Sequence, residues 1–86
     1  MRTLTMTNDA NHADIESLRG FNIWETAAAT AVVELRVASV TGTVIKRIQL
    51  KSDQMVLIAL GKDYWEFPGG CYVKLVSGTV SGTLDY

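Results

Sequence analysis

The chain has 86 residues, 48% of them hydrophobic, with a net charge of −1, one cysteine and one histidine. A domain of this size buries only about 60% of the surface its unfolded chain exposes. Its lone Cys71 and His12 offer neither a disulfide nor a metal-ligand cluster to staple it, so burial against other chains is the expected source of extra stability. The charge balance excludes the concentrated Lys and Arg excess of a nucleic-acid or anionic-membrane surface, and no segment reaches the roughly eighteen apolar residues of a spanning helix.

Residues 1–20 read as an N-terminal arm. They lack the apolar h-region of a secretory signal, which together with one unpaired cysteine predicts a soluble product made in a reducing cytoplasm. The stretch "TLTMT" predicts a short strand. Asn11 can cap a helix with Asp14 three positions on, Ile15 and Leu18 share a face, and Gly20 stands where a helix stops, which predicts a short helix or an ordered arm. Phe21 opens a strand, and the Ala-rich run after Trp24, too short to nucleate a helix alone, predicts an extended lead into Val32.

From Ala31 onward, runs of Val, Ile, Leu and Thr are punctuated roughly every eight to twelve residues by Gly, Asp or Pro, the pattern of successive β-hairpins. Val33, Leu35 and Val37 alternate with Glu34, Arg36 and Ala38 as in a half-buried strand, and Thr41-Gly42 follows as its turn. The next run sets Val44, Ile48 and Leu50 on one face and Ile45, Arg47, Gln49 and Lys51 on the other. Lys46 falls on the apolar side, either with its stem snorkelling to water from a bulge or strand end, or as an inward charge that blocks edge pairing.

After a turn at Ser52-Asp53-Gln54, Met55 through Leu60 is apolar at every position, so both faces of that strand need cover. Gly61-Lys62-Asp63 turns the chain again, and Tyr64 to Phe67 is a short aromatic strand ended by Pro68-Gly69 in a type II turn. Residues 71–77 and 79–86 complete the series. In the last strand small residues replace bulky ones, so a neighbouring backbone can come close and the strand needs neighbours to hold it. The expected fold is all-β: one domain over 1–86, with residues 21–86 forming a small antiparallel sandwich or barrel of about six to eight strands.

Nucleophilic catalysis needs a base beside the nucleophile and a group to orient it. His12 lies in the most polar stretch, and Cys71 at the start of a strand reads as a small core residue. Asp53 and Asp63 are accounted for by turn geometry. No catalytic, metal or cofactor-binding residue is assigned, and a non-enzymatic protein is expected. Tyr64, Trp65, Phe67 and Tyr72 crowd around a rigid turn, with Tyr64 and Glu66 on one face and Trp65 and Phe67 on the other. They read either as core filling with Tyr64 at the surface, or as anchors for a protein or glycan partner. Trp24 carries the same two readings, and Leu84 and Tyr86 are expected at an assembly contact.

Gly70, Tyr72 and Val73, followed by Ser77, Gly78, Thr79, Val80 and Gly82, form a Gly-x-Tyr-Val and Ser-Gly-Thr-Val-x-Gly series. It resembles the C-terminal strands of small all-β virion proteins of tailed bacteriophages, capsid decoration or cement proteins among them. The likeness covers the C-terminal half, from about Ser39. It implies a protein made in the host bacterial cytoplasm and mounted on the capsid surface, with the major capsid protein or another virion protein as partner. It further implies a homo-oligomer, a trimer favoured, that reinforces the capsid without catalysis. The rival expectations are a head-fibre or tail adaptor, and a small receptor or glycan-binding module using Tyr64, Trp65 and Tyr72.

Overall fold

A computed structural model describes residues 2–86. The alternating runs become β1 (Thr3–Thr5), β2 (Ala10–His12), β3 (Ser17–Leu18), β4 (Gly20–Glu25), β5 (Ala31–Val37), β6 (Val44–Leu50), β7 (Met55–Ala59), β8 (Trp65–Glu66), β9 (Cys71–Ser77) and β10 (Val80–Asp85). A single 3₁₀ turn, Gly61–Asp63, is the only helical element among the described residues. The strands pair antiparallel in a first sheet of order β1-β10-β4-β7, a second of order β2-β9-β5-β6, and a two-residue ribbon of β3 with β8. The fold is all-β, as the alternation and turn spacing predict.

One face of each sheet is apolar, and the two faces meet. Phe21, Ile23, Val80 and Leu84 from the first sheet and Ala31, Val33, Leu35, Ile48, Leu50, Cys71 and Val73 from the second lie in a single buried cluster. Ile15, Leu18 and Phe67 close it from the connecting segments. The connections β4–β5, β6–β7 and β9–β10 each pass from one sheet to the other, so only β5–β6 is a hairpin within a sheet. The turn between β6 and β7 therefore sets those two edge strands on one flank of the sandwich.

The helix expected between Asn11 and Gly20 does not form; β2, a turn and β3 occupy that stretch. Fewer than about twelve residues nucleate a helix poorly, and here His12, Ile15 and Leu18 find their partners in the sheets and the core. The His12 ring bonds the Cys71 carbonyl through Nδ1 at 3.0 Å and accepts the Thr7 N–H through Nε2 at 3.0 Å. Because Nε2 accepts, the ring proton must sit on Nδ1. Ile15 and Leu18 are fully buried, and Leu18 pairs with Trp65. The stretch that reads as an arm thus supplies an edge strand to each sheet, with Leu4 opposite Leu84 and Ala10 opposite Val73.

The Ala-rich run is also not an extended lead. Ala27 to Ala29 bend, with Ala28 at φ 54°, and the strand starts at Ala31. The bend is held because the Glu25 carboxylate accepts the Ala27 N–H. The Pro68-Gly69 turn is the expected type II: Gly69 has φ 86° and the Gly70 N–H donates to the Phe67 carbonyl at 2.8 Å.

β10, the strand of Ser, Gly and Thr, lies inside the first sheet between β1 and β4. A Cβ at Gly82 would stand 2.6 Å from the Asn22 carbonyl oxygen and 3.1 Å from Ile23 Cγ1, so glycine there lets β4 approach. The neighbours this strand needs are supplied by its own chain.

Candidate interaction surface

The outward faces of the two sheets differ in chemistry. On the second sheet a charged cluster stands on the outward face: Glu34 on β5, Arg47 on β6 and Lys74 on β9 lie side by side, with Arg36 two residues along β5. Arg36 and Arg47 both bond the Glu34 carboxylate, Arg47 at 3.0 Å. The hydrogen bond from Arg36, then its charge and the bonds and charge of Arg47, hold the Glu34 carboxyl below its ordinary range against the opposing effect of burial. Glu34 is little exposed, with both arginines on its carboxylate.

On the first sheet the outward residues form a nearly uncharged grid. Across β10, β4 and β7 the rows are Ser81, Trp24 and Met55; then Thr83, Asn22 and Leu57; then Asp85, Gly20 and Ala59. β1 adds Thr5 and Thr3 to the last two rows. Asp85 is the one charge, and it accepts the Thr3 hydroxyl at 2.8 Å. Met55 is 62% exposed and Leu57 69%, the most exposed large apolar residues among those described. The all-apolar run from Met55 therefore has its inner face, Val56 and Ile58, packed on the core and its outer face uncovered by the chain.

β7 is also an open edge. The Glu25 N–H donates to the Gln54 carbonyl at 3.0 Å and the Leu60 N–H to the Arg19 carbonyl at 2.7 Å. Hydrogen-bonded pairs recur at every second residue of an antiparallel ladder. Hence Val56 and Ile58 turn their backbone groups to β4, while Met55, Leu57 and Ala59 turn theirs away from the sheet. On the same flank β6 exposes Val44 and Ile45. Lys46, opposite the buried Leu35 and itself exposed on this edge strand, stands where an inward-side charge obstructs pairing.

The residues singled out from the sequence do not form one site. Phe67 and Leu84 are fully buried. Trp65 is half-buried with its ring 6.2 Å from that of Phe21, while Tyr64 is exposed beneath the Arg19 guanidinium, 5.0 Å above its ring. Tyr72 is half-buried on the second sheet between Asn11 and Arg36. Tyr86 is half-buried against the core, and its backbone exchanges hydrogen bonds of 2.6 and 2.8 Å with Arg2. Only Trp24, beside Met55, belongs to the uncharged grid.

Met55 and Leu57 were not among the candidates. Their signal is the apolar run itself, in which no position is spared for water.

Among the described residues no group of three or more His, Cys, Asp or Glu is placed to hold a metal ion. His12 meets the carbonyl of Cys71, not its thiol, and burial pushes that thiol up to about 12. Among the described residues no helix is long and apolar enough to cross a membrane. No protein-family model matches the chain, and neither a curated protein nor a solved structure does.

Proposed function

We propose that the chain is a non-enzymatic structural protein that works by assembly, through the outward face of the first sheet and the β7 edge. The observation that carries this reading is the pair Met55 and Leu57, well over half exposed on a strand whose backbone is also unpaired on that side. Two adjacent exposed apolar side chains on an open edge are a liability for a solitary protein and an asset for one that docks. The C-terminal resemblance supplies the setting: a tailed-phage virion, with the chain decorating the capsid surface and the major capsid protein, or another virion protein, as its partner.

A glycan-binding module built on Tyr64, Trp65 and Tyr72 draws less support. Trp65 packs inward on Phe21 and Tyr72 lies on the other sheet, so only Tyr64 of the three is openly presented.

The test is co-sedimentation of the purified chain with expanded capsids assembled from the major capsid protein encoded with it. Saturable binding that Trp24→Lys weakens supports the reading. Absence of binding, with a chain that stays monomeric throughout, overturns it.

A further inference from the structure

We propose that β7 is a self-pairing edge: two copies join β7 to β7, antiparallel, about a two-fold axis through Leu57, and the first sheet continues from four strands to eight. The inference rests on the assembly reading and names its partner as a second copy of this chain.

Backbone parity makes the edge self-complementary. Met55, Leu57 and Ala59 point their N–H and C=O groups outward, so an antiparallel copy centred on Leu57 sets three hydrogen-bonded pairs in register. Leu57 faces the partner's Leu57, and Met55 faces the partner's Ala59 on either side of the axis. Paired residues share a face of the sheet, so the uncharged grids of the two copies merge into one surface with Trp24 one strand in from the junction on each side.

The two-fold axis selects the antiparallel sense: an axis normal to the sheet keeps the uncharged grids of both copies on one face, whereas parallel pairing about an axis along the strand would set the grid of one copy beside the core-facing side of the other. Lys51 and Asp53 precede the strand, Lys62 and Asp63 follow it, and all four are exposed. These residues lie in the turns at the two ends of the strand, so an antiparallel copy brings the turn with Lys51 and Asp53 of each chain toward the turn with the partner's Lys62 and the partner's Asp63. Each turn carries one lysine and one aspartate, so the two meet without net repulsion, and exposed charges of this kind contribute little affinity.

The other edges are guarded. β6 carries Lys46 and Arg47 and faces a register shift at Leu35 and Arg36. β1 and β2 are three residues each. β7 has no charge, proline or bulge over Met55–Ala59, which are the devices that otherwise close an edge. Pairing is therefore confined to the first sheet, and the unit is a closed dimer; a trimer would require a heterologous contact from another surface.

The experiment is light scattering of the full chain over a hundredfold concentration range, with three variants. Wild type is expected at twice the chain mass. Leu57→Lys puts like charges on the axis, and Leu57→Pro removes the edge-facing N–H without touching the β4 ladder; both are expected at the chain mass with an unchanged far-ultraviolet circular dichroism spectrum. Thr5→Lys, on the opposite edge, is expected to stay dimeric. If Leu57→Pro fails to fold, Leu57→Lys decides alone. A wild-type monomer at every concentration overturns the proposal, as does an oligomer that survives Leu57→Lys. In either case capsid co-sedimentation of wild type, retained or lost, shows separately whether the assembly reading stands.

Discussion

Glu25 accepts the backbone N–H of Asp53 through Oε1 at 2.9 Å and that of Ala27 through Oε2, so the last residue of β4 holds both the loop into β5 and the turn into β7. The bond from Asp53 is the largest influence on this carboxyl and, with those from the alanine loop, keeps it below its ordinary range against the effect of burial. A depressed carboxyl stabilises the fold above its unfolded value of about 4.3 and loses that contribution as pH falls through the folded one. Glu34 acts in the same direction. The urea midpoint is therefore expected to fall between pH 6 and pH 3. In Glu25→Gln it should start lower and fall less; an acid limb identical to wild type would count against the assignment.

Gly82→Ala tests why an interior strand is built of small residues. The added methyl meets backbone, not a flexible side chain, 2.6 Å away at the Asn22 oxygen, so β4 and β10 must move apart. Overpacking of this kind costs about 1–3 kcal/mol, while the exposed neighbour Ser81→Ala should stay within about 0.5 kcal/mol of wild type. Chemical denaturation of the two variants side by side reads the difference.

What the sequence made legible is what local chemistry decides. Val33 and Leu35 alternate inward against Arg36, and Pro68-Gly69 turns as proline and glycine dictate. The stretch from Asn11 to Gly20 was misleading because its helix signals are weak and local, whereas the bonds that win, His12 to Cys71 and Leu18 beside Trp65, join residues far apart in the chain. The candidate surface was half legible. The apolar run after Gln54 announced a strand in need of cover on two faces, but not that its chain would cover only one. Trp65 and Phe67 drew attention as anchors because aromatic residues serve cores and interfaces alike, and only the fold assigns Phe67 to the core.

Leu84 separates folding from assembly. Its side chain is fully buried opposite Leu4 and Phe21, so Leu84→Ala should cost about 2–5 kcal/mol. Removal of Leu84 to Tyr86 should go further, by taking away the pairing of Leu84 and Asp85 with β1 and β4 and the backbone bonds to Arg2. Truncation would abolish assembly by unfolding the domain, and Leu84→Ala would weaken assembly only through lost fold stability. Thermal melts monitored by circular dichroism are expected to show a lowered or missing transition, and an intact melt with lost assembly would instead make Leu84 an interface residue.

Cys71 provides a probe of the core that is independent of assembly. The thiol is fully buried, its pKa is pushed up to about 12 by that burial, and its carbonyl, not its sulfur, receives the His12 ring proton. The thiolate is the reactive form, and at pH 8 a thiol of this kind is ionised to about one part in ten thousand. Native protein should therefore leave a disulfide-exchange reagent unreacted at pH 8, and one thiol per chain should react at once in denaturant. Slow native labelling should report opening of the β2–β9 pair, so His12→Asn, which removes the 3.0 Å acceptor for the Thr7 N–H, should speed it, while Leu57→Lys on the far flank should leave the rate unchanged. Rapid stoichiometric labelling of the native wild type would mean that Cys71 is not held in the core at all.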